Sequence, residues 1–198
     1  MIRGRKFRKK VYTFPAFVKD FLFFHKNISA FIRDLFYRKI SKAFEAKIML
    51  AVTSVNGCKY CAWFHSREAL KAGIDQNEVK QLLSSQLSGQ IEDKELAALN
   101  FAFHYAETDR RPDRELVNNL FKVYGNETAA EILVKLRIIY FGNLCGNTFE
   151  AFLSRLKGEK PENSFWLSEL IIFLIVSPLY GLISLLMRNN ERRSVYEM

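Results

Sequence analysis

The chain has 198 residues, 49% of them hydrophobic and 18 of them phenylalanine, which suits one domain with a substantial core plus appendages. Its net charge of +9 invites a nucleic-acid reading. The excess begins in residues 1–10, however, where six positions are cationic and none acidic, and no recognition motif or base-stacking module accompanies this arm. Nucleic acid is therefore not expected as a partner; an anionic membrane surface, or solvent alone, suits residues 1–14 as a basic N-terminal arm. Three cysteines exclude a disulfide framework and suit a reducing compartment. The arm is not a secretory signal, because its apolar continuation "VYTFPAFV" is short, contains Pro15 and runs into Lys19 and Asp20.

Beyond the arm the sequence predicts helices throughout, and the expected class is all-α. "PAFVKDFLFF" and "ISAFIRDLFY" are amphipathic pieces with aromatic anchors, and "SKAFEAKIMLAVTSV" is a more apolar helix ending at Asn56 and Gly57. A helix carrying Cys58, Cys61 and His65 follows and stops at Gly73. Asp75 with Glu78 reads as a capping box for "VKQLLSSQL", which Gly89 ends. "EDKELAALNFAFHYAE" has strong helical periodicity. Pro112 opens "DRELVNNLFKVYG", closed at Gly125, and a long helix runs from about 128 towards 157, with expected weak points at Gly142 and Gly146.

The segment "NGCKYCAWFH" carries the chemistry. Residues three, four and seven apart share a helix face, and those are the steps from Cys58 to Cys61, Cys61 to His65 and Cys58 to His65. Two thiols and an imidazole are thus expected on one stripe near a helix start, where dipole and imidazole favour the reactive thiolate. Two blander readings stand beside the redox pair. A zinc site needs a fourth ligand, and Cys145, His25 and His104 are isolated in sequence; an inert buried pair is the other. Cys145 reads as a core residue, His104 as a helix residue with a satisfied hydrogen bond and His25 as a surface residue. Tyr60, Trp63 and Phe64 are candidate walls of an apolar pocket, with packing against neighbouring helices as the alternative. No cofactor motif is present and no resident metal is expected.

"SVNGCKYCAWFHSREALKAGIDQNEV" resembles the core of the alkyl hydroperoxidase D and carboxymuconolactone decarboxylase superfamily. "EDKELAALNFAFHYAE" and "ILVKLRIIYFGNLCGNTFEAFL" resemble later helices of the same fold. The resemblance covers roughly residues 15–157 and implies a helical domain, a homo-oligomer and a peroxiredoxin-type thiol peroxidase, the cysteine pair marking that branch rather than a lactone decarboxylase. It implies that Cys61 attacks a hydroperoxide, that Cys58 resolves the sulfenic acid into a disulfide, and that His65 belongs to a proton relay. An unidentified dithiol would return the electrons.

The family's relay glutamate lies twelve positions before the first cysteine, and here that position is Ala46. Glu45 is one residue off, about 100° of helix rotation, and is expected to point elsewhere; Glu68 is the other candidate acid. The dipole argument by itself favours Cys58 as the lower-pKa thiol, whereas the i to i+4 relation to His65 favours Cys61.

After a polar linker, 158–164, the composition changes. Residues 170–187, "LIIFLIVSPLYGLISLLM", hold no charge over 18 positions, roughly 27 Å of helix and close to a bilayer's hydrocarbon core. Trp166 and Tyr180 are candidate interfacial aromatics, and Arg188, Arg192 and Arg193 flank the far end. Three arrangements are open for 165–187: a single-pass anchor, a hairpin turning at Ser177 and Pro178, or a helix in an oligomer interface. A polar tail, 188–198, closes the chain. The expected location is a membrane with the catalytic domain on the cytoplasmic side; the alternative is the cytoplasm without a membrane. The resulting expectation is a membrane-tethered thiol peroxidase, with a thiol-disulfide adaptor or redox-responsive membrane protein of little turnover as the alternative.

Overall fold

In the computed structural model, residues 7–36, 38–87, 91–162 and 164–196 are described, so residues 1–6 of the basic arm and Gly89 lie outside them, as do the side chains of Arg192 and Arg193. The described residues form helices and no strand: α1 (Phe14–Lys26), α2 (Ile28–Phe36), α3 (Lys42–Asn56), α4 (Lys59–Lys71), α5 (Gln76–Leu83), α6 (Asp93–Glu107), α7 (Arg114–Leu156) and α8 (Trp166–Tyr196). The fold is all-α.

Local chemistry sets the boundaries. Ser41 caps α3 by accepting from the Phe44 N–H at 3.0 Å, satisfying one of the helix's orphan donors. Gly57 ends α3 with φ of 69°, a left-handed geometry that favours glycine. Asp75 caps α5 through the Asn77 N–H at 2.7 Å. The expected box with Glu78 does not close, because Glu78 instead pairs with Lys47 at 2.7 Å. In α7 only Gly125 is non-helical (φ 72°, ψ 169°), so two helices abut there, as the sequence predicts.

α3 is the hub and packs on α4, α5, α6 and α7. Ile48, Leu50 and Val52 of α3, Leu99 of α6, and Ile132 and Leu136 of α7 are fully buried together, each contributing roughly 1.5–3 kcal/mol of burial. Phe7 and Tyr12 from before α1, and Ile172 and Tyr180 from α8, are buried as well.

The expected weakness at Gly142 and Gly146 is corrected: α7 runs unbroken through both, and they are instead points of close approach for α8. A Cβ on Gly146 would lie 2.7 Å from Cys58 Sγ and 2.7 Å from Tyr180 Cε1. The Tyr180 hydroxyl donates to the Gly142 carbonyl. At the start of α8, Arg155 donates to both carboxylate oxygens of Glu169 at 2.6 and 2.7 Å. α8 is one continuous helix through Pro178, so the hairpin does not form. Tyr180 is buried against α7 rather than interfacial, while Trp166 is exposed. Residues 166–189 are long and apolar enough to cross a membrane, with a mean hydropathy of 2.5.

Candidate active site

Cys58 is not on the helix stripe that the spacing predicts. It is the N-cap of α4, with extended backbone (φ −75°, ψ 106°). Its Sγ accepts from the Cys61 N–H at 3.3 Å, which places the sulfur on the positive end of the helix dipole. The two cysteines are joined as a disulfide with Cα atoms 5.4 Å apart, a usual separation for such a bridge. Cys58 is 0% and Cys61 7% exposed, because Cys58 is enclosed where α7 presents Gly146. Of the two sulfurs, Cys61 belongs to the residue nearer the surface.

His65 lies one turn further along α4, on the face of Cys61. It lines a cavity of about 360 Å³ with Glu45, Ala46, Met49, Phe64 and Glu68. The rim is cationic, formed by Arg38, Lys42 and Lys71. The ring is only partly exposed and meets Phe64 edge-on at 5.2 Å. Burial pulls its pKa down to about 4, against the opposing charge of Glu68, so the imidazole is neutral at pH 7 and has one ring nitrogen able to accept a proton. Among the described residues, the two cysteines are not part of this lining.

The acids are placed differently from the expectation. Glu45 does reach the His65 cavity, correcting the rotation argument, but its carboxylate is engaged by Lys135 at 3.0 Å and Arg38 at 3.6 Å. Glu68 is at the mouth, bound to Lys71 at 2.7 Å; that hydrogen bond holds its carboxyl below the usual range. Of the three candidate wall residues only Phe64 lines the cavity. Tyr60 turns inward, edge-on to Phe149 at 5.5 Å and to Tyr180 at 5.8 Å. Trp63 lies beneath the Arg67 guanidinium at 4.9 Å.

The other thiol and imidazoles do not line the His65 cavity. Cys145 is buried, and that burial pushes its pKa up. His104 Nε2 accepts from the Asp113 N–H at 3.3 Å, and His25 is exposed. Two features escape the sequence reading: the Gly146 notch that receives Cys58 and Tyr180, and buried Lys135 beside Glu45. The Gly142-x-x-x-Gly146 spacing was the available signal for the first; nothing local marks the second.

The Carboxymuconolactone decarboxylase family matches residues 24–104, from the end of α1 through most of α6 and including Cys58, Cys61 and His65. This match supports the resemblance to the carboxymuconolactone decarboxylase superfamily, with its alkyl hydroperoxidase D-like members. No curated protein and no solved structure matches the chain.

Proposed function

We propose that the protein is a membrane-tethered thiol peroxidase that reduces hydroperoxides through Cys61 and Cys58. The observation that carries this reading is the pair itself: an N-cap cysteine bonded to the cysteine three residues on, with a neutral histidine one turn beyond. In the reduced enzyme the Cys61 thiolate attacks the outer oxygen of ROOH. The O–O bond breaks, Cys61 becomes the sulfenic acid, and the alkoxide leaves as ROH after taking a proton. The Cys58 thiol then attacks the sulfenic sulfur, forming the disulfide and releasing water.

Exposure supports this division of labour, since Cys58 is the more enclosed residue. The cap hydrogen bond makes the Cys58 sulfur the better leaving group when an external dithiol attacks Cys61. That dithiol is oxidised as the pair is reduced. His65, neutral and on the Cys61 face, takes the thiol proton and returns it to the leaving alkoxide. Lipid hydroperoxides are the natural substrate class for an enzyme held at a membrane. A cytoplasmic-facing domain suits the need for reduction at each turnover, and a homo-oligomer is the expected assembly.

A second reading is favoured by the relay position. Ala46 stands there, and the neighbouring Glu45 carboxylate is held by Lys135 and Arg38. A protein with so weak a relay functions instead as a thiol-disulfide adaptor with little peroxide turnover. Consumption of hydrogen peroxide and an alkyl hydroperoxide in the presence of dithiothreitol separates the two. Catalytic consumption that Cys61→Ser abolishes supports the peroxidase; absent consumption with fast disulfide exchange supports the adaptor.

A further inference from the structure

The outward faces of α1, α2 and α8 form one apolar surface. Phe21 and Leu22 of α1, Ile28 and Ile32 of α2, and Ile175 and Leu179 of α8 are all exposed. The two sides are continuous: a groove of about 290 Å³ runs between Phe21, His25 and Ile28 on one side and Ile175 and Val176 on the other. Single exposed apolar residues are ordinary; a contiguous set marks a binding surface.

Among the described side chains of these helices the exposed charge is cationic. Among the described side chains of residues 14–36 and 165–189 the only carboxylates are Asp20 and Glu169, which are 3% and 0% exposed. Asp20 accepts from Arg110 and from Tyr12, and Glu169 is clamped by Arg155. Lys19, Lys26, Arg33 and Arg188 stand exposed on these helices. Apolar side chains interspersed with cations fit an anionic lipid interface. They fit a second copy poorly, because a two-fold contact sets like charges from both copies against each other.

α8 is also held flat. Its contacts run from Arg155 back to Gly142 on α7, about 20 Å of antiparallel helix. That stretch of α7 carries Glu150, which is paired with Lys9 and Lys59. A docked α8 crossing the bilayer would take these charges into hydrocarbon, which strongly disfavours them.

We propose that α1, α2 and α8 together seat the domain side-on at the surface of an anionic bilayer, with α8 in the membrane plane and Trp166 at its interfacial edge. This rests on the membrane reading of the tail and not on the peroxide chemistry.

The test is flotation of the full-length protein with vesicles of phosphatidylcholine alone or with added phosphatidylglycerol. Two double variants at exposed positions are compared, Phe21→Asp with Ile32→Asp and Leu179→Asp with Leu182→Asp, each checked for native helicity. The expected result is partition favouring the anionic vesicles, reduced about tenfold or more by either pair, with alkaline carbonate releasing the wild type. Wild-type partition by the α1–α2 variant, together with resistance to carbonate, would overturn the side-on arrangement and leave α8 as a lone anchor. Absence of binding to either vesicle, with a stable dimer that the same variants dissociate, would overturn the membrane reading as well. Peroxide consumption by the same protein is scored separately and stands or falls on its own.

Discussion

Cys58 and Tyr180 meet over the same glycine. The Cys58 sulfur and the Tyr180 ring fill the space that a side chain on Gly146 would occupy. The apolar C-terminal helix therefore packs against the enclosure of the cysteine pair. Phe149 stacks on Phe173 at 4.9 Å and lies 5.9 Å from Tyr180, so the contact is part of a continuous aromatic layer between α4, α7 and α8.

Gly146→Ala tests that packing. The added methyl would meet Cys58 Sγ and Tyr180 Cε1 at 2.7 Å each, so one of them must move, at about 1–3 kcal/mol for overpacking. Gly142→Ala is the control, because its Cβ would meet only the Tyr180 hydroxyl, at 3.6 Å, and alanine favours the helix by up to about 1 kcal/mol. Thermal unfolding of the oxidised proteins is expected to show a clear loss for Gly146→Ala and little change or a gain for Gly142→Ala. Equal effects would contradict the notch.

His65 supplies a pH signature. Its pKa is about 4 in the folded protein, against an ordinary 6.5. Between those values the unfolded chain binds a proton that the folded chain does not, so folding stability rises with pH across this window. Stability is full above pH 6.5 and declines as pH falls towards 4. An NMR titration of the His65 ring is expected to give a midpoint near 4, and His65→Ala to slow peroxide attack about a hundredfold or more. A midpoint near 6.5 would show an open, solvated ring.

Much of the fold was legible because punctuation in the sequence is local. Gly57, Gly73 and Gly125 sit where the backbone takes φ of 69°, 88° and 72°, and Asp75 caps the helix that follows it. The cysteine pair was legible for the same reason, since three residues fix its reach. What was hidden depends on partners distant in sequence. Rotation about α3 separates Glu45 from Ala46, yet the flexible glutamate side chain is drawn to Lys135 on another helix. Tyr60 is adjacent to Cys61 but follows the aromatic layer of α7 and α8. Gly142 and Gly146 looked like weak points because a propensity scale has no knowledge of Tyr180.

Glu45 has a structural role in this account. Lys135 is 2% exposed, and removing the negative charge beside a buried ammonium costs about 1–3 kcal/mol even where other contacts persist. Glu45→Gln is therefore expected to lower the denaturant midpoint while changing the rate of peroxide attack far less than His65→Ala does. Equal and large kinetic losses in the two variants would show that Glu45 serves as the missing relay acid.

The division of labour between the two cysteines is the central claim, and trapping of the sulfenic acid tests it most directly. Cys58→Ser and Cys61→Ser proteins are reduced, treated with one equivalent of an alkyl hydroperoxide in the presence of dimedone, and mapped by mass spectrometry. The account predicts a dimedone adduct on Cys61 in the Cys58→Ser protein, none on Cys58 in the Cys61→Ser protein, and a Cys58–Cys61 disulfide in the wild type. An adduct on Cys58, or no reaction of either cysteine with peroxide, would contradict it.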